Sequence, residues 1–188
     1  MYRIKYSLLL SLVILVCAGC GGQPAAGLTL SSATFSANGT LSNQQVLNGF
    51  GCTGANESPE LRWSNPPSGT KSYAITMYDP DAPTGSGWWH WVVYNIPANS
   101  TSLAAGAGDP TKESLPQGTT QGATDFGQPG YGGPCPPQGD KAHRYIFTIH
   151  ALDVERLDLP ANATAALIGF NLHGHTLAEA TLAASYGR

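Results

Sequence analysis

The stretch from Met77 to Pro97, MYDPDAPTGSGWWHWVVYNIP, constrains this chain more than any other. Two acids, three prolines, three tryptophans and one histidine fall within it. The pattern predicts a strand ending at Asp79, a rigid turn, and a second strand from Trp88 to Ile96. Proline fixes its own φ and restrains the residue before it. Pro80 and Pro83 therefore hold Asp79 and Asp81 in a stiff loop. Side chains alternate between the faces of a strand. On that rule Trp88, His90, Val92 and Tyr94 share one face, and Trp89, Trp91 and Val93 the other. A titratable imidazole then sits among large apolar groups with two carboxylates nearby, the make-up of a small polar pocket with apolar walls.

The N-terminus belongs to targeting, not to the fold. Arg3 and Lys5 form a basic start, Leu8 to Val16 an apolar run, and Ala18-Gly19-Cys20 a small-residue end. Residues 1–19 read as a secretory signal peptide, too short for a comfortable membrane span. A cysteine directly after Ala-Gly resembles a bacterial lipobox, although Cys17 stands where such boxes usually carry leucine. Cys20 is the expected lipidation site, and an ordinary signal peptide cut nearby is the alternative. Residues 20–27 form the tether, rich in Gly, Pro and Ala, and residues 28–188 the domain. The expected location is extracytoplasmic and membrane-anchored, in the periplasm or at the cell surface, with acyl chains as the anchor.

Processing removes Arg3 and Lys5, so the mature chain is more acidic than the formal −3 of the whole sequence. The remaining basic residues are scattered, which excludes an electrostatic footprint for nucleic acid. Charged residues make up 11% of the chain, against 23 glycines and 14 prolines, the composition of a loop-rich β protein. In an oxidising compartment Cys52 and Cys135 read as a structural disulfide, with two separate buried thiols as the alternative. With Cys17 removed and Cys20 the lipidation site, no CxxC or Cys/His cluster suggests zinc.

Further elements follow from periodicity and turn residues. Leu28 to Phe35 and Leu61 to Trp63 are expected strands. Lys71 to Tyr78 alternates, with Tyr73, Ile75 and Met77 on one face. His143 to Ala151 alternates too, with His143, Tyr145, Phe147 and Ile149 together. Ala98 to Gln138 is a long irregular region, a length that usually carries function. The tail is expected to hold two helices, Asn162 to Phe170 and about Leu177 to Tyr186. Thr176 and Glu179 are spaced as a capping box for the second.

Asp79, Asp81, His90, His143 and Tyr145 form the strongest constellation. Imidazole and phenol groups can donate to phosphate or carboxylate oxygens, and an adjacent Asp can orient an imidazole. On the residues alone, histidines hydrogen-bonded within a packed core are the competing account.

The blocks DPDAP with WWHW, and GPCPP followed by HRYIF, resemble the two signature blocks of the phosphatidylethanolamine-binding (Raf kinase inhibitor-like) family. The finer likeness is to its bacterial YbhB/YbcL-type branch. GCTGANESPELRW, DFGQPGYGGPCPP, HRYIFTIHALD and HGHTLAEATL extend it over nearly the whole mature chain. The resemblance implies a mostly β fold, a large central antiparallel sheet packed on a smaller sheet, with short helices at the C-terminus. It also implies a pocket for small anions such as phosphate or a phospholipid headgroup. By position, that pocket takes in Asp79, Pro83, Trp88, His90, Gly133, Pro136, Pro137, His143 and Tyr145. Cys135 falls where eukaryotic relatives have glycine, and the tail differs from theirs.

The functional expectation is a non-catalytic protein that binds a small anionic or phosphorylated ligand, without a cofactor. One rival is an inhibitor acting on a protein target, a protease or host protein more readily than a kinase. Another is a hydrolase with a His/Asp pair, against which no activated nucleophile is visible. A zinc site built on His173 and His175 lacks a third ligand fixed by spacing.

Overall fold

The computed structural model describes residues 27–188. The expected signal peptide, Cys20 and all but the last residue of the tether lie outside them. The chain runs through β1 (Thr29–Ser31), β2 (Gly39–Thr40), β3 (Asn48–Gly49), β4 (Cys52–Thr53), β5 (Leu61–Ser64), β6 (Ser72–Asp79) and β7 (Trp88–Pro97). It continues through β8 (Ser102–Leu103), β9 (Thr120–Gln121), β10 (His143–Leu152), α1 (Ala165–His175) and β11 (Thr176–Tyr186).

A six-stranded sheet in the order β2-β11-β10-β6-β7-β9 faces a three-stranded sheet in the order β1-β5-β8. Between them lies the main core. Leu30, Leu61, Trp63 and Leu103 come from the small sheet, and Tyr73, Ile75, Met77, Trp91, Val93, Tyr145, Phe147 and Ile149 from the large one. The mostly β architecture on two packed sheets is thus the one the resemblance implied. The large sheet is antiparallel except where β2 runs parallel to β11. Its opposite face carries a second core, where Ile168 and Leu172 of α1 pack on Ala74, Val92, Tyr94 and Leu152. Among the described residues no helix is long and apolar enough to cross a membrane.

Two expectations are corrected. The segment from Leu177 to Tyr186 is strand β11, not a helix, and it pairs with β10 from His143↔Tyr186 to Leu152↔Thr176. Its alanines favour helix intrinsically, but its apolar residues also repeat at period two. Ala180, Leu182, Ala184 and Tyr186 face the main core. Pairing with β10 satisfies what would otherwise be an open sheet edge. The expected capping box is absent: Thr176 ends α1 instead, its hydroxyl donating to Leu172 O at 2.7 Å. The tail therefore has one helix, and His173 and His175 lie in its last turn.

The second correction concerns β7. Its pairing with β6 jumps from Met77↔Trp91 to Tyr78↔Trp89, which leaves His90 as the extra residue of a β-bulge. Strict alternation therefore fails at His90. Trp89 packs with Val92 and Tyr94 on the helix-bearing face, while His90 lies with Trp91 on the side of the main core. The bulge turns the imidazole toward Tyr145, at a ring separation of 5.1 Å.

Candidate functional site

The core-facing sides of β6, β7 and β10 end in polar residues at one end of the sheet. Beyond Met77 comes Asp79, beyond Trp91 come His90 and Trp88, and before Phe147 come Tyr145 and His143. They enclose a cavity of about 210 Å³, walled also by Leu47, Phe50, Pro83, Phe126, Pro136 and Pro137. Asp79, His90, His143 and Tyr145 are all buried.

The polar floor has a defined hydrogen-bond pattern. Asp79 Oδ1 accepts the backbone N–H of Asp81 at 2.8 Å, which shapes the turn two residues on. Its Oδ2 accepts from His143 Nδ1 at 2.8 Å and lies 4.0 Å from His90 Nε2. His90 Nδ1 donates to Gly132 O at 2.7 Å. A carbonyl can only accept, so the Nδ1 proton is fixed, and the neutral ring turns a bare Nε2 toward the cavity. Burial pushes the His90 imidazole down to about 4, against the opposing pull of the Gly132 carbonyl and the Asp79 charge. The Tyr145 hydroxyl is buried and has no hydrogen-bond partner among the described residues. Its acidity is weakened first by burial and then by the Asp79 charge.

Asp81 takes no part in the cavity floor. Its carboxylate receives the backbone N–H, Nε and Nη2 of Arg144 at 2.9, 2.8 and 2.7 Å. The guanidinium holds its pKa down to about 2. This fork ties the DPDAP turn to β10 from the outside, and Arg144 carries its charge away from the cavity.

Of the residues expected at the site, eight line the cavity: Asp79, Pro83, Trp88, His90, Pro136, Pro137, His143 and Tyr145. Gly133 does not. A Cβ there would meet Gln45 O at 2.0 Å, and its N–H donates to Asn56 Oδ1 at 2.8 Å. Its role is close backbone approach, with the donor already engaged. Among the lining residues outside that expectation are two aromatics, Phe126 and Phe50. Phe126 packs edge-on to Trp88 and His90 at 5.4 and 5.5 Å. It leans on Gly132, where a Cβ would come within 2.2 Å of its ring. Asp125 seats it by accepting Trp89 N–H at 2.7 Å. Phe50 is 77% exposed at the mouth and stacks on Phe126 at 6.1 Å. The available hint was an aromatic set between glycines, Gly49-Phe50-Gly51.

The outer wall is stapled. Cys52 and Cys135 form a disulfide, with Cα atoms 6.0 Å apart and a sequence separation of 83. It joins the β3–β4 hairpin, which carries Phe50, to the Pro136-Pro137 wall. Arg188 reinforces the junction, Nε donating to Pro136 O at 2.7 Å and Nη1 to Gly51 O at 3.0 Å. The zinc alternative finds no geometry to support it. His175 pairs with Asp153 at 2.9 Å, at the opposite end of β10 from His143. Among the described residues no group of three His, Cys, Asp or Glu is placed to hold a metal.

Comparison with known proteins places this architecture among relatives. Residues 31–187 match the model of the phosphatidylethanolamine-binding protein family. The UPF0098 protein YbhB of Escherichia coli (strain K12) is 52% identical over 78% of this chain and 91% of its own length. YbcL of the same organism is 48% identical over 86% of this chain and 88% of its own length. Its crystal structure superposes with a TM-score of 0.85, covering 87% of this chain and 99% of that one. LppC of Mycobacterium tuberculosis, a relative named as a lipoprotein, is 38% identical over 73% of this chain and 61% of its own length.

Proposed function

The chain belongs to the phosphatidylethanolamine-binding protein family, and from that membership we propose a non-catalytic, lipid-anchored protein outside the cytoplasm. Its cavity binds a small anion or a phosphorylated group such as a phospholipid headgroup. The observation that carries this reading is the Tyr145 hydroxyl, a buried donor without a partner among the described residues, in a cavity shared with two imidazoles. A buried polar group left unpaired costs about 1–3 kcal/mol, so a ligand oxygen that meets it recovers a real deficit.

The apolar walls would carry the organic part of such a ligand, and the floor its charged head. A binding role fits the residues that could otherwise act as nucleophiles. The Thr84 hydroxyl is directed to the Gly87 carbonyl, and Cys135 is held in the disulfide. The anchor is supported by the lipobox-like Ala-Gly-Cys20 in the sequence and by the lipoprotein name of one relative.

The test is a two-dimensional NMR titration of the domain beginning after Cys20 with phosphate, phosphoethanolamine and nucleotides. Shifts centred on His90, His143 and Tyr145 are expected. His90→Ala and His143→Ala are each expected to weaken binding while keeping the fold. Silence up to millimolar ligand would leave the cavity as inherited scaffold and move the search to a protein partner on the outer surface.

A further inference from the structure

The cavity is built to receive an anion, yet in its resting state it offers an anion little welcome. Among the described residues no lysine or arginine lines it; Arg144 is engaged bidentately by Asp81, and Arg188 by the Pro136 and Gly51 carbonyls. The floor also holds the Asp79 carboxylate. Its Oδ2 is occupied by His143 Nδ1–H and its Oδ1 by the Asp81 N–H. His90 has given its only proton to Gly132 O, so Nε2 presents a lone pair to the cavity. An oxyanion placed there meets the Tyr145 hydroxyl as a donor, but also a lone pair and a carboxylate.

A single proton reverses the balance. On His90 Nε2 it converts the lone pair into a charged donor 4.0 Å from Asp79 Oδ2, and charge-assisted hydrogen bonds are the strong ones. We infer that this pocket binds its oxyanion together with one proton taken up at His90 Nε2, so that the bound unit is anion plus imidazolium. The inference rests on the anion-binding reading above.

The groups facing His90 from each side agree with this. From β6 comes Asp79, whose Oδ2 also holds His143, and from β10 comes Tyr145. From the loop packed over β7 come Asp125, the Phe126 ring and the Gly132 and Gly133 backbone. Asp79 and Asp125 both favour the imidazolium, and only burial opposes it. An anion supplies the counter-charge that burial withholds. The ligand class follows: a compact oxyanion whose affinity climbs as the medium turns acidic, by about tenfold per pH unit across the range where free His90 is neutral.

The experiment is calorimetric titration of the protein with sulfate, which stays fully ionised between pH 5 and 7, and with inorganic phosphate for comparison. Each is run in two buffers of different ionisation enthalpy. Uptake of close to one proton per sulfate is expected at pH 6. Sulfate affinity should drop about a hundredfold from pH 5 to pH 7. The His90 ring nitrogens should move to the imidazolium pattern in NMR when sulfate is added. His90→Gln, whose amide donates without titrating, should flatten the pH dependence. If that variant fails to fold, the wild-type measurements still decide. Binding without proton uptake, or a proton that lands on His143, would overturn the linkage and leave the pocket standing. Failure of both anions to bind at pH 5 would remove the anion-binding reading and the linkage together.

Discussion

Asp79 Oδ2 accepts a 2.8 Å hydrogen bond from His143 Nδ1, and both side chains are buried where β6 ends and β10 begins. The pair joins two strands that are neighbours in the large sheet and fixes which nitrogen of His143 carries the proton. Asp79→Asn keeps an acceptor for the Asp81 N–H but sets an amide against His143. The expected loss is about 1–3 kcal/mol of stability, read from urea midpoints at pH 7. The His143 Nδ1–H resonance should also disappear from its hydrogen-bonded position. An unchanged midpoint would mean that this bond contributes nothing net to the fold.

Buried neutral histidine makes the fold sensitive to acid in a definite direction. His90 titrates near 4 in the folded protein and near 6.5 when unfolded. As pH falls, the unfolded chain takes the proton first. The stabilisation is therefore complete above about pH 6.5 and is lost progressively down to about pH 4, by about 3 kcal/mol at most. Burial lowers His150 as well, which adds a loss of the same sign. Urea midpoints measured without anions at pH 7 and pH 4.5 check this, and a flat profile would show that His90 is not held neutral.

Closing a loop of this length by the Cys52–Cys135 bridge is worth about 4–5 kcal/mol in chain-entropy terms. The oxidised protein should show no free thiol at either position, and Cys52→Ser with Cys135→Ser should lower stability by an amount of that order. The same change frees the Phe50 hairpin from the Pro136-Pro137 wall, so ligand affinity should fall more than a remote destabilising mutation would cause. Quantitative alkylation of both thiols without reductant would exclude the bridge in solution.

Where local chemistry decides, the sequence was enough. The alternation of Tyr73, Ile75 and Met77 and of Tyr145, Phe147 and Ile149 survives intact because both strands are long and bury one face in the main core. Pro80 and Pro83 mark the turn by fixing backbone angles without help from elsewhere. What stayed illegible depends on partners distant in sequence. The His90 bulge exists because the imidazole finds the Gly132 carbonyl and the Tyr145 ring, and nothing within β7 announces it. Strand β11 has helix-forming alanines, and only the free edge of β10 settles its conformation. Gly133 was read as a ligand contact from its motif. Its necessity comes from the backbone of Gln45 and Leu47 pressed against it.

Tyr145→Phe separates function from stability most cleanly. The ring is fully buried and would stay so, while the hydroxyl it loses has no partner among the described residues. Deleting an unpaired buried group removes a cost and breaks no bond, so stability should change by less than about 1 kcal/mol, with a gain as plausible in sign as a loss. A ligand oxygen would lose a donor in a water-poor cavity, and anion affinity should fall roughly tenfold. Thermal melts with and without phosphate read both effects in one experiment. If the variant binds phosphate as the wild type does, the hydroxyl faces the cavity without serving it, and recognition must run through the imidazoles alone. If instead the variant is destabilised by several kcal/mol, the hydroxyl contributes to the fold and not only to the ligand.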